Sequence, residues 1–157
     1  VAADGRILAS DSGLKHGEKD LAPTGTDAIW VVDKSGKPKA VAKSTELNRP
    51  NGVWATDKGL LVASFGGNEL VRLDETGARR DVTKLPTGGL DGVLSLGDEI
   101  LVSSWQGSAI YRGTLGGTFS VLFRGLKAPA DIGFDAKRKR VLVPRFLDDA
   151  VEAYALK

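Results

Sequence analysis

Apolar residues along this chain come in short runs broken by turns rich in Gly, Asp and Lys, the layout of a chain built from brief strands. The runs LLVAS, ILVSS and RVLVP end at Ser64, Ser104 and Pro144, forty residues apart. Upstream of each, Asn51-Gly52-Val53, Asp91-Gly92-Val93 and Asp131-Ile132-Gly133 recur with the same forty-residue spacing. Two markers in one register make chance agreement a poor explanation, and a fixed period of this length marks a tandem-repeat fold.

Each unit predicts four strands. The first begins at Asn51 or its equivalent and runs to a polar turn, TDKG, LGDE or DAKRKR. The second is the run ending at Ser64 or its equivalent, followed by the turns GGN, QGS or LDD. The third, ELVRLD, AIYRG and AVEAYAL, alternates with a period of two and is rich in β-branched and aromatic residues. Fourth strands read ARRDVTKL and TFSVLFRG. Four strands per roughly forty residues, repeated in tandem, predict an all-β chain: a β-propeller of four-stranded antiparallel blades.

Residues 1 to 43 fit the same template if VAADGRILAS supplies the turn and second strand, and DAIWVVD and KPKAVAK supply the third and fourth. This unit is about fourteen residues longer than the others. The excess, SGLKHGEKDLAPTGT, has Gly, Pro and charge but no strand periodicity, so residues 12–26 read as an inserted loop. Blades are expected at about 1–46, 47–86, 87–126 and 127–157, in one propeller domain. The first lacks its opening strand and the last its fourth, and the chain begins at Val1 with no Met anywhere. About four blades of a six-bladed propeller are therefore expected here, the ring being completed by an N-terminal propeller segment or a second chain. A stand-alone four-bladed ring is the alternative.

Antiparallel pairing puts the start of a first strand and the end of a second strand at the same sheet edge. Asn51, Asp91 and Asp131 should therefore share one face of the disc with Asp11, Phe65, Trp105 and Arg145, the first three nearest the axis. The inserted loop, with His16, springs from that face and is positioned to cover it. The run Lys137-Arg138-Lys139-Arg140 belongs to a hairpin tip on the other face and reads as solvated charge, not as a nucleic-acid patch.

Composition narrows the chemistry. With no Cys among 157 residues there is no disulfide, thiolate nucleophile or Cys-ligated metal, and the lone His16 excludes a multi-His cluster. Twenty Gly, nearly twice the roughly 7% average share, accord with many tight turns. Basic and acidic residues number 22 and 20, a balance that argues against a dedicated nucleic-acid or membrane-surface binder. No run approaches the ~18 apolar residues of a membrane span, so a soluble chain is expected, in either cytoplasm or periplasm. Phosphate-cradling G-x-x-x-x-G-K-[ST], G-x-S-x-G and H-E-x-x-H motifs are all missing from the sequence.

What remains is the axial mouth. Asn51, Asp91 and Asp131 from successive blades offer hard oxygen ligands for a divalent metal such as Ca²⁺, Mn²⁺ or Mg²⁺, or Zn²⁺ with carboxylates. Each also has a plainer reading, since Asn and Asp before Gly serve turns through local hydrogen bonds. Phe65 and Trp105 hold equivalent places and would line a pocket wall or pack between blades. Arg145 would bind an anionic group or pair with Asp148 or Asp149. His16 reads as a lid contact to substrate or as a plain surface residue.

The segments RPNGVWATDKGLLVAS, LDGVLSLGDEILVSSW and APADIGFDAKRKRVLVPRF resemble the gluconolactonase, senescence marker protein and luciferin-regenerating enzyme group of six-bladed propellers, and more loosely the NHL-repeat proteins. That resemblance implies one divalent metal at the axial mouth, with Asn51 and Asp91 matching an Asn of a P-N-G-like motif and an Asp of a later D-G motif. It implies further ligands, a Glu of the first blade and another Asn, upstream of Val1. The metal would polarise a lactone carbonyl and activate water, with Asp91 as ligand and general base. Two functions follow: a metal-dependent hydrolase of a sugar lactone or similar small ester, acting on a small-molecule substrate, and a non-catalytic propeller binding a ligand or protein on the same face.

Overall fold

The computed structural model describes residues 1–2, 4–17 and 20–156. The first sheet contains β1 (Ile7–Asp11), β4 (Ala28–Val32) and β5 (Pro38–Lys43), interrupted by a hairpin of β2 (Leu14–His16) and β3 (Leu21–Pro23). The next two are complete meanders of four strands. One comprises β6 (Pro50–Thr56), β7 (Gly59–Ser64), β8 (Glu69–Leu73) and β9 (Arg79–Lys84). The other comprises β10 (Leu90–Leu96), β11 (Glu99–Ser104), β12 (Ala109–Gly113) and β13 (Ser120–Arg124). The last sheet holds β14 (Gly133–Asp135), β15 (Arg140–Arg145) and β16 (Ala150–Ala155). Every neighbouring pair is antiparallel and consecutive within its unit, as a propeller blade requires. No helix among the described residues is long and apolar enough to cross a membrane.

Period-two alternation explains how the sheets stack. In β7, Leu60 and Val62 join Ile29, Leu47, Val71 and Leu73 in an apolar layer against the first sheet. Leu61 and Ala63, one residue out of phase, join Val93, Ile100, Val102 and Tyr111 in the layer against the third sheet. In β11 the same split sends Leu101 toward Ile132, Val141 and Val143 of the last sheet. Middle strands are thus buried on both faces, which is why LLVAS and ILVSS are nearly continuous apolar runs.

The segment read as a loop over 12–26 contains a two-stranded hairpin instead, with Leu14, Lys15 and His16 facing Pro23, Ala22 and Leu21. Three-residue strands are too short to register as alternation, so composition alone suggested a loop. Its base is tied down: the Ser12 hydroxyl donates to the Pro50 carbonyl at 2.7 Å and the Thr24 N–H donates to the Gly13 carbonyl at 2.7 Å. Glu18 and Lys19 of this segment lie outside the described residues.

Asn51-Gly52 and Asp91-Gly92 sit in β-bulges, not turns. In β6 the pairing jumps from Pro50–Ser64 to Val53–Val62, and in β10 from Leu90–Ser104 to Val93–Val102. Each bulge sets two residues against one and re-aims their side chains at the sheet edge. The glycines serve close approach. A Cβ on Gly52 would strike the Asp91 carbonyl oxygen, and one on Gly92 would lie 2.5 Å from the Ile132 nitrogen. Neither residue has a positive φ, so proximity of successive first strands, not backbone freedom, demands Gly.

Candidate functional site at the axial mouth

The three first strands bring the backbones of Asn51-Gly52, Asp91-Gly92 and Asp131-Ile132 into direct succession across the blades. The bulge carrying Asp91 is held by Ser103. Its hydroxyl accepts from the Gly92 N–H at 2.7 Å and donates to the Ala130 carbonyl at 2.9 Å, a bridge from one blade to the next. The neighbouring serines of the repeat act similarly: Ser64 donates to the Leu47 carbonyl at 2.9 Å and Ser104 to the Gly88 carbonyl at 2.6 Å. These buried hydroxyls are satisfied, so they belong to the scaffold of the mouth and not to its chemistry.

Asp91 is only 7% exposed. Its Oδ2 accepts a hydrogen bond from the Trp105 indole Nε1 at 2.9 Å, while no protein donor among the described residues engages Oδ1. Burial pushes the Asp91 carboxyl up to about 6; the Trp105 hydrogen bond pulls it down, and repulsion from Asp131 adds to the rise. Asn51 is half-buried and its side chain makes no hydrogen bond with the described residues, whereas Asp131 is exposed. Replacing Trp105 by Phe keeps the ring and removes the donor. Its expected effects are a further rise in the Asp91 pKa and a loss of about 1–3 kcal/mol near pH 8, measured by denaturation as a function of pH.

The indole that holds this carboxylate contacts two further aromatic rings. Phe65 meets Trp105 edge-to-face with centroids 5.4 Å apart, and Trp105 meets Phe146 at 5.3 Å with a 34° tilt. Their backbones are equivalent: the N–H groups of Phe65, Trp105 and Phe146 donate to the carbonyls of Arg49, Gly89 and Ala128 at 2.8, 2.9 and 3.0 Å. The forty-residue count puts Arg145 in this place, but the structure shifts the register by one. Arg145 bridges Pro129 as Ser64 bridges Pro50 and Ser104 bridges Leu90. The cause is one extra residue in each strand between Gly133–Leu142 and the mouth.

The remaining candidates stand apart. Arg145 is ion-paired with Asp148 and, at 2.7 Å, with Glu152, so its guanidinium is already engaged. Asp11 accepts from the Gly13 N–H at 2.8 Å and lines a hollow with Trp30 and Lys43 on the first sheet. His16 is exposed on the hairpin. A groove of about 810 Å³, lined by Trp54, Arg72, Asp81 and Leu115, opens at the end of the sheets marked by the 57–58 and 97–98 turns, away from Asp91.

Solved structures of similar shape include proteins of low sequence identity to this chain. The chain matches virginiamycin B lyase from Staphylococcus aureus with a TM-score of 0.70 at 18% identity, covering 99% of this chain and 50% of that one. It matches a gluconolactonase from Xanthomonas campestris with a TM-score of 0.69 at 20% identity, over 92% and 52%. The architecture is that of a β-propeller. A chain of the nidogen/laminin complex matches with a TM-score of 0.66 at 14% identity, over 90% and 70%. The chain thus spans about half the length of the lyase and the gluconolactonase. No family model and no curated protein matches the sequence. Likeness at these identities is one of fold, which hosts many chemistries.

Proposed function

We propose that the axial mouth binds a divalent cation and serves a hydrolase of a lactone or similar small ester. The observation that carries this reading is Asp91: a buried carboxylate with one oxygen held by Trp105 and the other open, beside Asn51 and Asp131. The donors fit the group in kind. A carboxamide and two carboxylates are hard oxygen ligands, and repulsion between Asp91 and Asp131 is a field that a cation relieves. Among the described residues no three His, Cys, Asp or Glu side chains cluster as a metal site. In this reading Asn51, Asp91 and Asp131 would each supply an oxygen, fewer than the six to eight that Ca²⁺ takes, with water among the remaining ligands. The gluconolactonase and a putative 6-phosphogluconolactonase from Bacteroides uniformis among the structural neighbours favour this class of substrate.

A bound cation would polarise the lactone carbonyl and acidify water. Asp91, held at Oδ2 by Trp105, can accept a proton at Oδ1 from the attacking water. The water oxygen bonds to the carbonyl carbon, the ring C–O bond breaks, and the proton returns to the leaving alkoxide. Trp105 fixes the carboxylate throughout. Release of acid from D-glucono-δ-lactone, followed in a pH-stat, tests the reading. Turnover should fall about 10²–10⁴-fold in Asp91→Ala. Turnover unchanged in that variant defeats it. The second reading, a non-catalytic propeller binding a ligand or protein on this face, draws on the nidogen/laminin neighbour and predicts binding without turnover.

A further inference from the structure

One hydroxyl ties together the two backbone segments that carry the carboxylates. Ser103, fully buried in β11, accepts from the Gly92 N–H at 2.7 Å and donates to the Ala130 carbonyl at 2.9 Å. The first group belongs to the peptide that follows Asp91, and the second to the peptide that precedes Asp131. The tie spans two blades where they approach closely: a methyl added to Gly92 would lie 2.8 Å from the Asp131 Cα and 3.0 Å from its Oδ1.

The other repeats lack this device. Ser64, Ser104 and Arg145 occupy one register place, opposite Pro50, Leu90 and Pro129. The residues just before them are Ala63, Ser103 and Pro144, of which only Ser103 has a side chain able to hydrogen-bond. Ala63 is as deeply buried as Ser103, and its blade approaches the next as closely, with Gly52 against the Asp91 carbonyl. Stacking of blades therefore does not require the hydroxyl. It occurs where a blade and its successor both present a carboxylate at the mouth. The two carboxylates repel one another, and unrestrained strands would relax apart. The buried hydroxyl opposes that relaxation, because breaking either bond leaves a buried polar group without a partner.

Selectivity among cations depends on how firmly the oxygen spacing is held. Ca²⁺ takes oxygens at about 2.3–2.6 Å and Zn²⁺ at about 2.0–2.2 Å, so a fixed spacing favours one of them and a slack spacing adapts to both. We infer that Ser103 is a positioning residue whose two hydrogen bonds fix the spacing of the Asp91 and Asp131 carboxylates and thereby set the preference of the mouth between divalent cations of different size. The inference rests on the reading of this mouth as a cation site.

Calorimetric titrations of Ca²⁺ and Zn²⁺ into the complete protein at pH 7.5 give the ratio of the two affinities. Ser103→Ala should weaken the preferred cation about tenfold to hundredfold and the other less, so that the ratio contracts. Ser103→Thr keeps the hydroxyl and should keep the ratio. Thr83→Val is the control for lost stability alone. It removes another buried hydroxyl between blades, the acceptor of the Gly116 N–H at 2.8 Å, in the strand of its sheet farthest from β6, and should leave both affinities unchanged. If Ser103→Ala does not fold, Ser103→Cys, of similar shape but a weak donor and acceptor, takes its place with the same expected contraction. A ratio unmoved by these substitutions, equal wild-type affinities for the two cations, or an equal contraction in Thr83→Val overturns the inference and leaves the cation site standing. No saturable binding of either cation by the wild type defeats the cation reading and this inference with it.

Discussion

Gly92→Ala is expected to destabilise the protein by roughly 2–3 kcal/mol, at the upper end of overpacking substitutions. The added methyl would sit 2.5 Å from the Ile132 nitrogen and 2.8 Å from the Asp131 Cα. These obstacles are backbone of the next blade and cannot turn aside like the tip of a flexible side chain. Gly52→Ala meets the Asp91 carbonyl in the same way and should behave alike. Gly133→Ala is the control. It holds the place of Val53 and Val93 in its strand, its nearest neighbour would be Leu142 Cβ at 3.9 Å, and its φ is not positive. Urea denaturation of the three variants should show two large losses and one change within about 0.5 kcal/mol. Equal effects at all three positions would mean that the close succession of first strands is not what Gly is needed for.

The second large effect runs the other way. Asp91→Asn should stabilise the cation-free protein near pH 8 by about 2 kcal/mol. The folded carboxyl titrates near 6 against an ordinary value of 3.8, so the folded state binds this proton more tightly than the unfolded chain does. Wild-type stability attributable to Asp91 is therefore greatest below about pH 4, falls as pH rises from 4 to 6, and is flat beyond. Asn removes that slope while keeping an oxygen acceptor for the Trp105 indole. Its advantage should be full above pH 7 and vanish below pH 4. Denaturation at pH 4 and pH 8 in chelator checks the sign. A variant weaker than wild type at pH 8 would show that the ionised carboxylate is stabilised by its surroundings. A carboxylate kept at the expense of stability is the expected mark of a working group.

Much of this was legible in the chain. The forty-residue recurrence of Asn51, Asp91 and Asp131 with Ser64, Ser104 and Pro144 marks the region where first strands begin and second strands end. That register carried the all-β, four-stranded reading because each blade repeats one interlocking pattern of burial. It misplaced Arg145 and passed over Phe146, since one extra residue on each of two paired strands leaves the period at Gly133 and Leu142 untouched while shifting everything nearer the mouth. The aromatic at 146 was visible as a residue but not as the partner of Trp105.

Other features had no local signal. Asn-Gly and Asp-Gly suggest turns, and only the position of the next blade shows that Gly52 and Gly92 answer to a neighbouring backbone. The Trp105–Asp91 hydrogen bond joins residues fourteen apart through the pairing of β10 with β11, a contact that residue types alone do not specify. Hairpin β2–β3 escaped because its strands are three residues long.

The most direct test of the account is calorimetric titration of Ca²⁺, Mn²⁺ and Zn²⁺ into the complete protein and its Asp91→Asn variant at pH 7.5. Saturable one-to-one binding of at least one of these cations by the wild type, abolished in a variant that remains folded, is the predicted result. No saturable heat in either protein, or equal binding in both, would contradict a cation site built on Asp91.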